Sequence, residues 1–137
     1  MLKMLIVDSN SVLAKRIGTK IINHLKETTI EYARNPMILN VKLKIKNFDI
    51  ILADIYSMSD PKMTSVILSK AECPVVIWTA LDCTHCSDKN TYICETNECH
   101  NNLSNVCKVM RKPRIFDENT MTELMKTVNI HEHTLAE

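Results

Sequence analysis

Three short apolar runs in this chain each end on a polar residue. Leu5-Ile6-Val7 runs into Asp8, Ile50-Ile51-Leu52-Ala53 into Asp54, and Val75-Val76-Ile77-Trp78 into Thr79. A continuous apolar run of this length suits a strand buried on both faces, the condition of a parallel sheet. The segments between the runs have helical spacing. Asn10 or Ser11 is placed to cap a first helix, in which Leu13, Ile17, Ile21 and Leu25 recur every four residues. Thr29–Ala33 is β-branched and partly alternating, which predicts a second strand. Pro36 opens a second helix whose inner face is expected to carry Met37, Val41 and Ile45. Residues 63–70 give a short third helix, and 106–110 a further strand ending at Lys112-Pro113. Asp117 is then positioned to cap a last helix buried through Met121, Leu124, Met125 and Val128.

The order is βα repeated about five times, which predicts a doubly wound α/β fold: a parallel sheet with right-handed crossovers and helices on both faces. In such sheets the working site lies beyond the carboxyl ends of the strands. Asp8, Asp54, Thr79 and Lys112 stand at four such ends. A single aspartate at a strand end is more often structural than chemical, but four chemically matched residues at successive ends make a site. At 137 residues the chain suits one domain. Its lone glycine, Gly18, removes every glycine-loop nucleotide motif, and with it P-loop and dinucleotide-binding enzymes. A formal net charge of +1 gives no general pull toward nucleic acid or an anionic membrane. The first residues are too few and too quickly charged for a signal peptide, so the expected compartment is the reducing cytoplasm.

Asp8 and Asp54 end neighbouring strands in this topology, so their carboxylates should converge and need a cation between them. Two carboxylates with a carbonyl and waters is the Mg2+ style of binding. With the charge neutralised, one carboxylate can attack a phosphoryl donor, while Lys112 and Thr79 attend the transferred oxygens.

Val7-Asp8-Ser9, Leu52-Ala53-Asp54-Ile55, Val76-Ile77-Trp78-Thr79-Ala80 and Lys112-Pro113 together resemble the signature segments of response regulator receiver domains. The resemblance covers about residues 3–130, which implies a receiver domain over 1–130 and leaves 131–137 as a tail or linker. It implies a flavodoxin-like, five-stranded sheet of order 2-1-3-4-5. It also implies Asp54 as phosphoacceptor, Thr79 as switch hydroxyl, Lys112 as active-site lysine, and Mg2+ held by Asp8, Asp54 and the backbone carbonyl of Tyr56. The implied partners are a sensor histidine kinase or phosphotransfer protein, and an output domain or second copy meeting the last helices. No catalysis is implied beyond self-phosphorylation and dephosphorylation at Asp54. The chain departs from the pattern at three places. Ser9 stands where a second acid is usual, the loop after Asp54 reads Ser57-Met58-Ser59-Asp60-Pro61, and Val109 replaces an aromatic switch residue.

Residues 82–105 replace the expected fourth helix with a polar, cysteine-bearing stretch. Cys83, Cys86, Cys94 and Cys99 have spacings that suit a tetrahedral zinc ion, and the same count serves an iron–sulfur cluster or a reversible thiol pair. Cysteines that never meet are the bland reading. Cys73 and Cys107 flank strands and are expected to act as small apolar residues. The functional alternatives are therefore two: a phosphorylated signalling switch, or a pseudo-receiver whose cysteine segment binds metal or senses redox state. A flavodoxin-like enzyme is disfavoured, because outside the acidic cluster no nucleophile–base pair is visible.

Overall fold

The computed structural model describes residues 1–79, 106–111 and 118–136. The elements run β1 (Leu2–Val7), α1 (Ser11–His24), β2 (Thr28–Ala33), α2 (Pro36–Ile45) and β3 (Ile50–Ala53). After a short 3-10 turn (Ile55–Ser57) come α3 (Pro61–Ser69), β4 (Val75–Thr79), β5 (Val106–Arg111) and α4 (Glu118–Ala136). The strands form one sheet of order β2-β1-β3-β4-β5, and every neighbouring pair is parallel.

Period-two alternation along the strands builds two cores. Met4, Ile6, Ile50, Leu52, Val76, Trp78 and Met110 face one way, against Ala14, Ile17 and Ile21 of α1 and Met121 and Leu124 of α4. Leu5, Val7, Ile51, Ala53, Val75 and Ile77 face the other way, against Leu39 of α2 and Ile67 and Leu68 of α3. Each valine, leucine, isoleucine or methionine among them contributes roughly 1.5–3 kcal/mol when fully buried. A one-residue slip of any strand would exchange its two faces, so the register is firmly held.

The helix starts follow local chemistry. Asn10, Asn35 and Asp60 each accept a backbone N–H three residues on, from Leu13, Ile38 and Met63, and Pro36 and Pro61 occupy first-turn positions where no N–H is needed. Gly18 lies in α1 where a Cβ would stand 3.1 Å from Cζ of Tyr32, with the Tyr32 hydroxyl nearer still. The glycine is there to admit that ring.

One expectation is corrected. Met37, Val41 and Ile45 do not line the inner face of α2; they are 75%, 54% and 67% exposed, while Leu39 is fully buried. The helix carries two apolar stripes, and capping by Asn35 with Pro36 buried sets the phase that turns Leu39, Ile38 and Leu43 toward the sheet. Cys73 is half-buried against the second core, near the apolar role expected of it. Among the described residues no helix is long and apolar enough to cross a membrane.

Candidate functional site

The sheet register places the acidic pair. Val7 lies beside Ala53 across β1 and β3, and Ala53 beside Ile77 across β3 and β4. The residues that follow, Asp8 and Asp54, therefore emerge side by side at the carboxyl end. The Asp54 N–H donates to the Val7 carbonyl at 2.8 Å, and the Asp8 N–H to the Ala33 carbonyl at 3.1 Å, extending the parallel ladders to the aspartates themselves. Both are buried, at 3% and 4% exposure. Burying a carboxylate is costly unless a cation or hydrogen-bond donors meet it.

Part of that compensation comes from backbone N–H groups. Oδ1 of Asp8 accepts the Asn10 N–H at 2.8 Å, and the Asn10 side chain then accepts from Leu13 to start α1. Oδ1 of Asp54 accepts the Ser57 N–H at 3.2 Å, closing the 3-10 turn that carries Tyr56. Ser57 goes further. Its hydroxyl donates to the Asp54 carbonyl at 2.9 Å and accepts the Ser9 N–H at 3.1 Å. One serine thus joins the loop after β1 to the loop after β3, across 48 residues of sequence. That role is not visible in the sequence, although an aspartate followed three residues later by serine is a local capping signal.

Thr79 closes β4 and pairs with Arg111 at the end of β5, so its backbone stands at the same sheet edge. Its side chain and that of Cys107 are not among those described, and Lys112, Asp117 and the cysteines at 83, 86, 94 and 99 lie outside the described residues. Ser9 is exposed at the mouth of the site. Among the described residues no third acid, histidine or cysteine completes a metal cluster with the aspartates. Two buried carboxylates beside the turn that carries Tyr56 would suit a hard, oxygen-seeking dication.

No family model matches the chain, and no curated protein matches it in sequence. Solved structures do. A receiver domain of Francisella response regulator 1452 superposes with a TM-score of 0.68 at 24% identity, covering 98% of this chain and 99% of that one. Response regulator TrrA of Thermotoga maritima, solved with Mg2+ and BeF, gives 0.67 at 16% identity over 96% of this chain and 99% of its own. A CheY-like receiver domain protein of Methanospirillum hungatei gives 0.67 at 16% identity, with 98% of each chain covered. With TM-scores of 0.67–0.68 over nearly the whole of each chain, the protein has the flavodoxin-like α/β fold of response regulator receiver domains.

Proposed function

We propose that this chain is the phosphoacceptor receiver domain of a two-component response regulator, with Asp54 as the residue modified. The observation that carries the reading is the burial of Asp8 and Asp54 side by side at the carboxyl ends of adjacent central strands. A carboxylate oxygen of Asp54 attacks the phosphorus of the donor and forms an acyl phosphate. The bond from phosphorus to the donor's leaving group breaks, and a phosphohistidine of a sensor kinase or phosphotransfer protein returns as free imidazole. Asp8, Asp54 and the Tyr56 carbonyl would hold Mg2+, which supplies charge neutralisation for the incoming phosphoryl oxygens. The Ser57 N–H holds Oδ1 of Asp54 and so fixes the carboxylate in one orientation. Lys112 and Thr79 are assigned to the phosphoryl oxygens, and the change of charge at Asp54 biases a partner-binding face formed by the last helices. The chemistry is confined to Asp54, and the setting is the cytoplasm. The TrrA complex with Mg2+ and BeF, a structure of the same fold, supports Mg2+ as the metal.

Incubation with Mg2+ and acetyl phosphate tests the assignment, followed by intact mass and by the fluorescence of Trp78, which is 2% exposed and one residue from Thr79. The expected result is one acid-labile phosphoryl group, absent from Asp54→Asn, whose fold and stability should be retained. Continued labelling of Asp54→Asn would refute the phosphoacceptor. No labelling of the parent protein under any donor would favour a receiver that works without phosphorylation.

A further inference from the structure

The second apolar stripe of α2 faces solvent. Met37, Val41 and Ile45 recur every four residues at 75%, 54% and 67% exposure, an aligned row over two helical turns. Scattered single apolar residues on a surface are ordinary; an aligned row of three large ones is not. Its far end opens into a cleft of about 490 Å³, in which Ile45 shares the wall with Phe48, Lys3, Lys46 and Glu31. The cleft lies toward the amino ends of the strands, away from Asp8 and Asp54.

Charge around this surface has one dominant sign. From Arg34 to Phe48 the chain holds Arg34, Lys42, Lys44 and Lys46 and no acidic residue. Glu31 of β2 lines the cleft and is engaged by both Lys42 and Lys46 at 2.7 Å. Two cations share one carboxylate, while Lys44 and Lys3 stand exposed beside them. Asp49 receives the Lys3 backbone N–H at 2.8 Å, so its carboxylate is tied to the strand end.

We propose that the exposed stripe of α2 and the cleft at its end form a docking surface for an acidic amphipathic helix of a partner protein. The row Met37, Val41 and Ile45 offers a ridge for an apolar stripe of matching period, and the cleft accepts one large apolar side chain against Ile45 and Phe48. Glutamates flanking that stripe meet Lys44 and Lys3. A second copy of this chain fits less well, because the same face turned on itself sets lysine against lysine. A membrane surface has no use for a cleft of side-chain size.

The test uses a fluorescein-labelled helical peptide with leucines every fourth position and glutamates on both flanks, followed by anisotropy. A peptide with lysine for each glutamate and one with serine for each leucine serve as controls. Saturable binding of the acidic peptide alone is expected, weakening as salt rises. Val41→Ser, Ile45→Ser and Lys44→Glu, all at exposed positions that leave the fold intact, should each weaken it by about tenfold. Equal binding of the three peptides, or affinity indifferent to all three substitutions, overturns the proposal. So does dimerisation in sedimentation that Val41→Ser abolishes, or capture by phosphatidylserine vesicles that bind in preference to the peptide.

Discussion

Replacing Ser57 with alanine removes two hydrogen bonds and leaves a third in place. The hydroxyl's bond to the Asp54 carbonyl (2.9 Å) and its acceptance of the Ser9 N–H (3.1 Å) are lost, whereas the backbone N–H to Oδ1 of Asp54 (3.2 Å) persists. A neutral hydrogen bond contributes about 1 kcal/mol net, and the Ser9 N–H lies at an exposed position where water replaces its partner. The expected loss of stability is therefore about 1–2 kcal/mol, a fall in Tm of roughly 3–8 °C for a domain of this size. The functional effect should exceed that, because the two loops no longer share a fixed point beside Asp54. The rate of phosphorylation by acetyl phosphate should fall by about tenfold while the modified residue stays the same. Ser57→Thr keeps both the donor and the acceptor and should restore the rate. Calorimetry and donor-saturation kinetics on the three proteins decide the matter. An alanine variant with parental rate and parental Tm would show that the bridge holds nothing, and a threonine variant as slow as alanine would show that the hydroxyl is not the active element.

Three further outcomes follow from the same geometry. Ser9→Asp should tighten Mg2+ binding by about tenfold or more, since one well-placed carboxylate in a partly buried site is worth roughly 1–3 kcal/mol; titration showing unchanged affinity would mean that position 9 does not face the metal. Gly18→Ala gains about 1 kcal/mol of helix propensity but drives a methyl against the Tyr32 ring, where overpacking costs about 1–3 kcal/mol. Net destabilisation is expected, relieved in part when Tyr32→Phe is added, and a rise in Tm for Gly18→Ala alone would contradict it. The hydrogen bond from Lys42, followed by that from Lys46, lowers the Glu31 pKa below its ordinary value. That contribution is complete above the ordinary glutamate value of about 4.3 and is lost as pH falls through the lower folded-state value. The stability difference between the parent and Glu31→Gln should therefore rise with pH across the acid limb and then level; a flat difference in denaturant titrations would remove the ion pair from the account.

The strands were legible because burial on both faces leaves no freedom of composition. Leu5-Ile6-Val7 and Ile50-Ile51-Leu52-Ala53 read as buried strands in any register, and the residue that ends each run marks the sheet edge. Helical spacing alone starts α3 at Met63, two residues after the observed Pro61, although Asp60 before Pro61 is a cap-and-proline signal. The buried face of α2 is ambiguous in the sequence for a different reason. Apolar residues at 37, 38, 39, 41, 43 and 45 satisfy helical spacing on two sides, and only contact with the sheet chooses between them. The tie made by Ser57 was beyond sequence reasoning altogether, since a hydroxyl that meets an N–H 48 residues away depends on the β1–β3 register and on the depth of the turn after Asp54.

The acidic site and the basic docking face make opposite demands on side chains, and β1 shows how one fold meets both. The site needs carboxylates held still out of water, so Asp8 is buried and tied to the Asn10 N–H, and its own N–H extends the β2 ladder. The docking face needs exposed side chains whose replacement does not disturb the core, and Lys3, Val41 and Ile45 have that character. Lys3 lies near the start of β1 and Asp8 directly after its end, five residues on, about 17 Å at the rise of an extended chain. Between them Met4, Leu5, Ile6 and Val7 are all but completely buried, two toward each core. A close-packed interior of this kind has no room to adjust to a ligand at either end. The carboxyl edge is therefore free to carry the proposed chemistry while the α2 face carries the proposed recognition, because the strand that joins them is fixed by packing that neither would use.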